Sequence, residues 1–299
     1  MEKVDIRKYL QPQVISSIRN LELIAKLVVE GYLAGLHRSP FHGFSVEFSQ
    51  HRPYMAGDAL RFVDWKVYGR TDRYFIKQFE EETNLRCTIL LDISKSMLYG
   101  SGTITKGDYA KYLAAALAYL IIQQRDATGI VLFDETIRKL IPARSMTSHL
   151  HIILHSIDKS EYGTDTNISD TLHRMAERLN RRGLVILISD LLDEPTGILN
   201  GLKHFRHNQH EVLVFHILDR QEVDFNFHGD IQFEDLESLE RIKTQPLYIQ
   251  KSYREKFEEF INFYKINFSN NRIDYQKLFT DTTFDVALTQ YLLKRKRLF

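Results

Sequence analysis

The feature that most constrains the fold is an alternation of short apolar runs and helical patterns that begins near residue 86. The apolar runs are "TILLDIS", "GIVLFD", "GLVILISD" and "HEVLVFHILD", and segments with helical spacing separate them. Buried strands that alternate with helices are typical of a mostly parallel sheet with helices on both faces. The sequence therefore predicts a doubly wound α/β domain over residues 84–250, in which "TIRKLIPA" alternates like an edge hairpin.

The segment before this domain follows a different pattern. Residues 12–36 carry apolar side chains three and four positions apart, which predicts an amphipathic helix. Residues 44–82 then alternate apolar and polar side chains around proline and glycine turn signals, which favours strands and loops. We therefore expect an N-terminal helix and a β-rich subdomain over residues 1–83.

The segment after the domain is rich in helix-forming residues. The pattern predicts two or three helices, with a break at "SNNR", so residues 251–299 are expected to form a C-terminal helical tail. The sequence contains no internal repeat and no low-complexity stretch.

Composition excludes several classes of protein. The chain has 40 basic and 39 acidic residues, so its net charge does not indicate a nucleic-acid or membrane partner. Cys87 is the one cysteine, which excludes an internal disulfide framework and favours a reducing compartment, and its apolar surroundings predict a small buried thiol. No secretory signal is visible, and the longest uncharged apolar stretch, residues 112–124, is too short to span a bilayer. We expect a cytoplasmic protein without a membrane span.

Oxygen-bearing side chains stand where the predicted strands end. In open α/β sheets, ligands bind at the carboxyl ends of the strands, where side chains from separate loops meet. The side chains in question are Asp92, Ser94 and Ser96 after the first strand, Thr164 and Thr166 before a helix, and Asp190 after the strand "LVILIS". Hard cations such as Mg²⁺ prefer oxygen ligands, whereas this set does not suit zinc.

The motif "DISKS" resembles the D-x-S-x-S signature of the von Willebrand factor A domain. Thr166 and Asp190 resemble the separated threonine and aspartate of the same metal-ion-dependent adhesion site, with Thr164 as the alternative threonine. The resemblance implies that Ser94, Ser96 and Thr166 coordinate Mg²⁺ or Mn²⁺, with Thr166 direct or bridged by water. It also implies that Asp92 and Asp190 act mainly through bound water, and that an acidic residue of a partner protein completes the shell.

A second resemblance lies upstream, in "YMAGDALRFVDWKVYGRTDRYFIKQFEEE". This stretch is similar to the segment that precedes the metal-site strand in family 58 of the domains of unknown function, a bacterial family with an A-domain-like fold. Its genes commonly lie beside those of MoxR-type AAA ATPases. The residues that carry the resemblance are Tyr54, Gly57, Asp58, Arg61, Asp64, Trp65, Arg70, Lys77 and Glu80 to Glu82. Many relatives begin with two membrane spans, which this chain lacks, so membrane anchoring is not implied here.

Two functions follow from these resemblances. The first is a cytosolic adaptor that offers a bound metal ion to an acidic residue of a partner, either a MoxR-type ATPase or the client which that ATPase remodels. The second is a magnesium-dependent hydrolase or phosphatase that uses the same site. The first is favoured because the site residues include no obvious nucleophile or general base apart from metal-linked aspartates.

Other chemistries fit the sequence less well. An aspartyl-phosphate enzyme of the haloacid-dehalogenase type needs a second aspartate as acid, and Ser94 stands at that position. The run "HFRHNQH" places His204, His207 and His210 three residues apart, which suggests zinc, but its polarity favours a solvated surface.

Overall fold

The structure is a computed structural model, and it describes residues 10–18, 20–36, 51–53, 65–77, 85–163, 168–179, 181–227, 229, 231–234 and 241–298. No helix within these ranges is both long enough and apolar enough to cross a membrane.

The described helices and strands alternate along most of the chain. The helices are α1 (Pro12–Ile15), α2 (Leu21–Leu36), α3 (Trp65–Thr71), α4 (Lys106–Gln123), α5 (Thr147–Asp158), α6 (Ile168–Arg178), α7 (Pro195–His207), α8 (Arg220–Asp224), α9 (Pro246–Asn270) and α10 (Phe284–Leu298), with a short 3₁₀ helix at Lys95–Leu98. The strands are β1 (His51–Pro53), β2 (Phe75–Lys77), β3 (Arg86–Asp92), β4 (Ala127–Phe133), β5 (Ile137–Arg144), β6 (Leu184–Ser189), β7 (Glu211–Leu218), β8 (Ile231–Glu234), β9 (Arg241–Thr244) and β10 (Ile273–Phe279).

Six of the described strands form the central sheet, in the order β10-β7-β6-β3-β4-β5. Every neighbouring pair is parallel except β4 and β5, which are antiparallel. Of the strands in this sheet, β3 comes first along the chain and lies in the middle. Later strands are added on one side of it and then on the other. The expected doubly wound, mostly parallel α/β fold is confirmed, and β5 is the antiparallel edge strand.

Hydrophobic side chains cover both faces of this sheet. On one face, Cys87, Ile89 and Leu91 of β3 pack into a core with α2, α4, α5 and α10. On the other face, Leu90 packs into a second core with α6, α7 and α9. Alternate residues of β3 therefore point to opposite sides, as the pleat of a strand requires. The predicted buried thiol of Cys87 is confirmed, and burial raises its pKa.

The C-terminal segment was expected to be helical, and this expectation is wrong for seven residues. Strand β10 runs parallel to β7 and forms an edge of the sheet. Ile273, its first residue, and Leu278 are buried in the two cores on opposite faces of the sheet, whereas the other five residues are only partly covered. An edge strand that is mostly only partly covered lacks the continuous apolar run that marks the central strands, which is why its pattern is weak.

The N-terminal segment also differs from the expectation. The single helix expected over residues 12–36 is two helices, because α2 begins anew after Asn20, whose side chain accepts a hydrogen bond from the Leu23 amide at 3.0 Å. Residues 65–71, expected within strands and loops, form α3. Helix α2 packs into the same core as α10, where the hydroxyls of Tyr32 and Thr289 lie 3.1 Å apart. The domain boundary predicted at residue 83 lies outside the described residues.

Candidate functional site

The candidate site lies where the strand order of the sheet reverses. Strands β3 and β6 are neighbours, and the connections that leave them run to opposite sides of the sheet. Their register pairs Leu91 with Ile188, so the next residues, Asp92 and Ser189, emerge side by side. Such a reversal leaves a crevice at the carboxyl edge of the sheet, which is the usual ligand site of open α/β folds.

Asp92 is buried in this crevice and is held by hydrogen bonds. Its Oδ1 atom accepts from the Ser94 amide at 2.9 Å, and its Oδ2 atom accepts from the Ser189 hydroxyl at 2.6 Å. Burial, together with the negative charge of Asp190, raises the pKa of Asp92 to about 7. Within the described part of the chain, no cationic side chain pairs with this carboxylate.

The two serines of the "DISKS" motif connect Asp92 to Asp190. The hydroxyls of Ser94 and Ser96 lie 3.0 Å apart. Asp190 is fully buried, which by itself would raise its pKa, but the charge of Lys106 and hydrogen bonds from Lys106 and Ser96 hold that pKa below its usual value. The structure thus brings together four of the predicted site residues: Asp92, Ser94, Ser96 and Asp190.

A lysine that the sequence analysis missed completes this cluster. Lys106 is fully buried, and its Nζ atom donates to Asp190 Oδ2 at 2.8 Å and to Glu222 Oε1 at 2.7 Å. Burial alone would lower the pKa of Lys106, but the two carboxylates outweigh it and raise that pKa above its usual value. The side chain is therefore a fixed positive charge inside the site.

The start of α4 fixes the position of Lys106. Thr105 and Asp108 form a capping box: the Asp108 amide donates to the Thr105 hydroxyl at 3.0 Å, and the Thr105 amide donates to Asp108 Oδ2 at 3.2 Å. Lys106 is then the first residue of the helix, where the helix dipole disfavours a cation. A lysine at such a position was a signal that the sequence offered, since it predicts an acidic partner nearby.

The backbone that follows β6 is held in an unusual conformation. Leu191 is buried and has a φ of 54°, in the left-handed region that a side chain such as leucine rarely adopts. The Asp190 carbonyl accepts from His216 Nε2 at 2.8 Å, and the Leu191 carbonyl accepts from the Tyr264 hydroxyl at 3.1 Å. These bonds hold the turn that directs Asp190 into the crevice.

His216 supports the site and takes no direct part in it. Its Nε2 atom must donate, because its partner is a carbonyl oxygen, so Nδ1 accepts from the Tyr275 hydroxyl at 2.8 Å. Burial lowers the pKa of His216 to about 3, which keeps the ring neutral.

Thr166 and the alternative Thr164 lie outside the described residues, so their predicted role is not tested. The residues on either side are described. The Gly163 amide donates to the Ile93 carbonyl at 2.8 Å, and the Ile168 amide donates to Asp193 Oδ2 at 2.8 Å. Gly163 and Ile168, which flank this segment in the sequence, therefore lie beside the two loops that carry Asp92 and Asp190.

The chemistry of the cluster fits a divalent cation. Its side chains offer oxygen atoms, which Mg²⁺ and Mn²⁺ accept as ligands. The cluster contains three buried or largely buried carboxylates, Asp92, Asp190 and Glu222, and one ammonium group, which pairs with the last two, so the ionised cluster has a formal charge of −2. One divalent ion would neutralise this charge. The role of these residues as metal ligands stays a prediction.

The histidine run does not form a metal centre. No group of three or more histidine, cysteine or acidic side chains that could hold a metal is found in the described ranges, and this includes Asp92, Asp190 and Glu222, so a cation in the crevice would depend on the hydroxyls of Ser94 and Ser96. His207 is exposed, as expected for a solvated surface. His210 departs from that expectation, since it is buried and its Nε2 lies 3.0 Å from the Leu179 carbonyl.

The strand order and the position of the "DISKS" motif define an α/β domain of the von Willebrand A-like class. More specifically, the chain belongs to the family "Protein of unknown function DUF58", whose family model matches residues 50–262. The expected family is thereby confirmed. An uncharacterized protein of Mycobacterium bovis, like its counterparts in two strains of Mycobacterium tuberculosis, is 28% identical over 232 residues, or 76% of this chain and 72% of the relative.

The solved structures to which this chain is similar are more distant in sequence. The conserved hypothetical protein BatB of Bacteroides thetaiotaomicron is 14% identical, with a TM-score of 0.48 over 71% of this chain and 99% of BatB. An aerotolerance-related membrane protein of Bacteroides fragilis is 16% identical, with a TM-score of 0.47 over 70% and 99% of the two chains. The VWA domain of SpRpn10 is 11% identical, with a TM-score of 0.41 over 70% and 95%.

Proposed function

We propose that this protein is a metal-dependent protein-interaction module. The observation that carries the proposal is the meeting of Asp92, Ser94, Ser96 and Asp190 at the reversal point of the sheet, around a buried carboxylate with no cationic partner among the described residues. A buried carboxylate without a counterion is costly, and a bound cation relieves that cost.

The residues divide into two groups in this proposal. Ser94, Ser96 and Thr166 hold Mg²⁺ or Mn²⁺, while Asp92 and Asp190 orient the hydroxyls and bound water. Neutral hydroxyls leave the ion short of direct negative charge, so it attracts a further anionic ligand. An acidic side chain of a partner protein supplies that ligand.

The proposed partner is a MoxR-type AAA ATPase or the client that it remodels, as the family resemblance implies. The chain acts as an adaptor, and its interaction with the partner requires the metal. The cytoplasmic location expected from the sequence stays a prediction.

Binding in the presence and absence of metal tests this proposal. The purified chain is titrated with Mn²⁺ and followed by electron paramagnetic resonance, and co-purification with the candidate ATPase is compared in magnesium buffer and in excess chelator. We expect weak Mn²⁺ binding that Asp92→Ala abolishes, and partner capture that chelation removes.

The matched variants are two double substitutions of serine. Ser94→Ala with Ser96→Ala removes the candidate ligands, whereas Ser16→Ala with Ser17→Ala removes two hydroxyls that donate to the carbonyls of Gln13 and Val14 in α1. The first pair is expected to lose metal and partner, and the second to keep both, with circular dichroism as the control for folding. Undiminished capture in chelator and in the first pair would contradict the proposal.

A further inference from the structure

We propose that Lys106 is an internal cation of the candidate metal site, which sets the affinity of the site for divalent ions and links its occupancy to helix α8. This inference rests on the proposed metal site and goes beyond it, because it assigns the regulation of that site to one residue. Its basis is the contact of one buried ammonium group with both Asp190 and Glu222.

The ammonium group of Lys106 takes the position beside Asp190 that a metal ion would otherwise take. Its Nζ atom is 2.8 Å from Asp190 Oδ2, and both side chains are fully excluded from solvent. Like charges at short range repel strongly where water is excluded. A divalent ion is therefore expected to lie on the side of Asp92, Ser94 and Ser96, and Lys106 keeps Asp190 from becoming a direct ligand.

Glu222 extends this network to α8. Its Oε1 atom accepts from Lys106, and its Oε2 atom accepts from the Asp219 amide at 3.2 Å within the capping box that begins the helix. Asp219 in turn accepts from the amide and the hydroxyl of Ser101, at 2.9 Å and 2.5 Å. Helix α8 is thus joined to both ends of the loop between Ser101 and Lys106.

This arrangement implies a response to metal binding. An ion near Asp92 repels the ammonium group of Lys106, and that group can relieve the repulsion by strengthening its contact with Glu222. The position of α8 then depends on whether the metal is bound. A partner that contacts α8 is expected to sense the occupancy of a site that it does not touch.

A series of charge variants tests the inference, with Mn²⁺ affinity measured by electron paramagnetic resonance on the full chain. Lys106→Met makes the formal charge of the cluster one unit more negative, and we expect Mn²⁺ to bind about tenfold or more tightly. Glu222→Gln makes the charge one unit less negative, and we expect about tenfold or more weaker binding.

Two further variants keep the test decisive. Lys106→Met with Glu222→Gln restores the charge of the native cluster, so its affinity is expected to return close to that of the native chain even if a single variant folds poorly. Lys111→Met changes a lysine on the same helix that donates to the Ser160 carbonyl, and it is expected to leave the affinity unchanged.

The outcomes separate the two proposals. If the native chain binds Mn²⁺ and the single variants at positions 106 and 222 bind it equally well, the role of Lys106 is overturned and the metal site stands. If neither the native chain nor any variant binds Mn²⁺, both proposals fail. Hydrogen exchange of residues 220–224 with and without Mn²⁺ provides a second readout, and unchanged protection there would overturn the link to α8.

Discussion

The Nζ atom of Lys106 lies 2.8 Å from the Oδ2 atom of Asp190, and neither side chain is exposed to solvent. This pair joins the first residue of α4 to the residue that follows β6, two points that are far apart in the sequence. Removal of one partner from a buried ion pair leaves an uncompensated charge, which is more costly than the loss of an exposed pair. The contact therefore has consequences for both stability and binding.

Replacement of Lys106 by methionine is expected to destabilise the fold. The change leaves Asp190 and Glu222 buried without their cation, and such a loss costs about 3–5 kcal/mol. Urea unfolding measures the difference in the free energy of unfolding. Lys26→Met is the control, because Lys26 lies 3.8 Å from Glu30 with both side chains about half exposed, and such pairs contribute about 0–1 kcal/mol. Equal effects of the two substitutions would contradict the importance of the buried pair.

The stability of the metal-free protein is expected to depend on pH through Asp92. Its folded-state pKa, raised to about 7 by burial and by Asp190, exceeds the ordinary value of 3.8, so between these values the native state binds a proton that the unfolded state does not. The free energy of unfolding then falls as the pH rises through this window, by about 1.4 kcal/mol per pH unit for one proton.

Asp92→Asn removes this contribution and isolates it. The native chain and the variant are unfolded by urea at several pH values in chelator. The free energy of unfolding of the native chain is expected to fall, relative to that of the variant, as the pH rises. Mg²⁺ is expected to reduce the dependence, because a cation near the carboxylate favours its ionised form. If the native chain instead gains stability relative to the variant as the pH rises from 4 to 7, the pKa of Asp92 is not raised in the folded state.

The C-terminal helix is expected to be essential for the stability of the α/β domain. Phe284 of α10 is fully buried, and its ring stacks on Tyr109 of α4 with centroids 4.7 Å apart. Phe284→Ala is therefore expected to cost about 3–5 kcal/mol in chemical unfolding. Tyr248→Ala removes a ring that is 83% exposed, and it should change stability by no more than about 0.5 kcal/mol. A small effect at Phe284 would indicate that α10 folds apart from the domain.

Two glycines are expected to respond to alanine in opposite directions. A Cβ atom at Gly201 in α7 would lie 2.7 Å from Leu172 Cβ in α6, so Gly201→Ala must push two packed helices apart, at a cost of about 1–3 kcal/mol. Gly69 in α3 has no atom of the described residues within 4 Å of the same position, so Gly69→Ala is expected to stabilise the chain by about 0.5–1 kcal/mol. Thermal unfolding distinguishes these results, and a stable Gly201→Ala variant would show that α6 and α7 can separate.

Local patterns were sufficient to predict the central strands and most helices of the domain. Strands β3, β4, β6 and β7 are buried on both faces, so their apolar runs are continuous and easy to recognise. Strand β10 lies at an edge, where only Ile273 and Leu278 of its seven residues are buried, and its mixed sequence falls within a segment that the pattern predicts to be helical. Asn20, which ends one helical pattern and begins another, is a single capping residue within a long apolar periodicity.

The fold class, the family, and the positions of Asp92, Ser94, Ser96 and Asp190 at strand ends follow from the amino-acid sequence alone, because each depends on a short stretch of residues and its periodicity. Which charges meet in the crevice depends on the tertiary structure. Lys106, Ser189 and Glu222 come from three separate elements, and their contacts depend on strand order, on the capping boxes of α4 and α8, and on the exclusion of water. Both aspartates are buried, so their neighbours decide the difference between them: the pKa is raised at Asp92, which burial and the charge of Asp190 both affect, and lowered at Asp190, where Lys106 lies beside it.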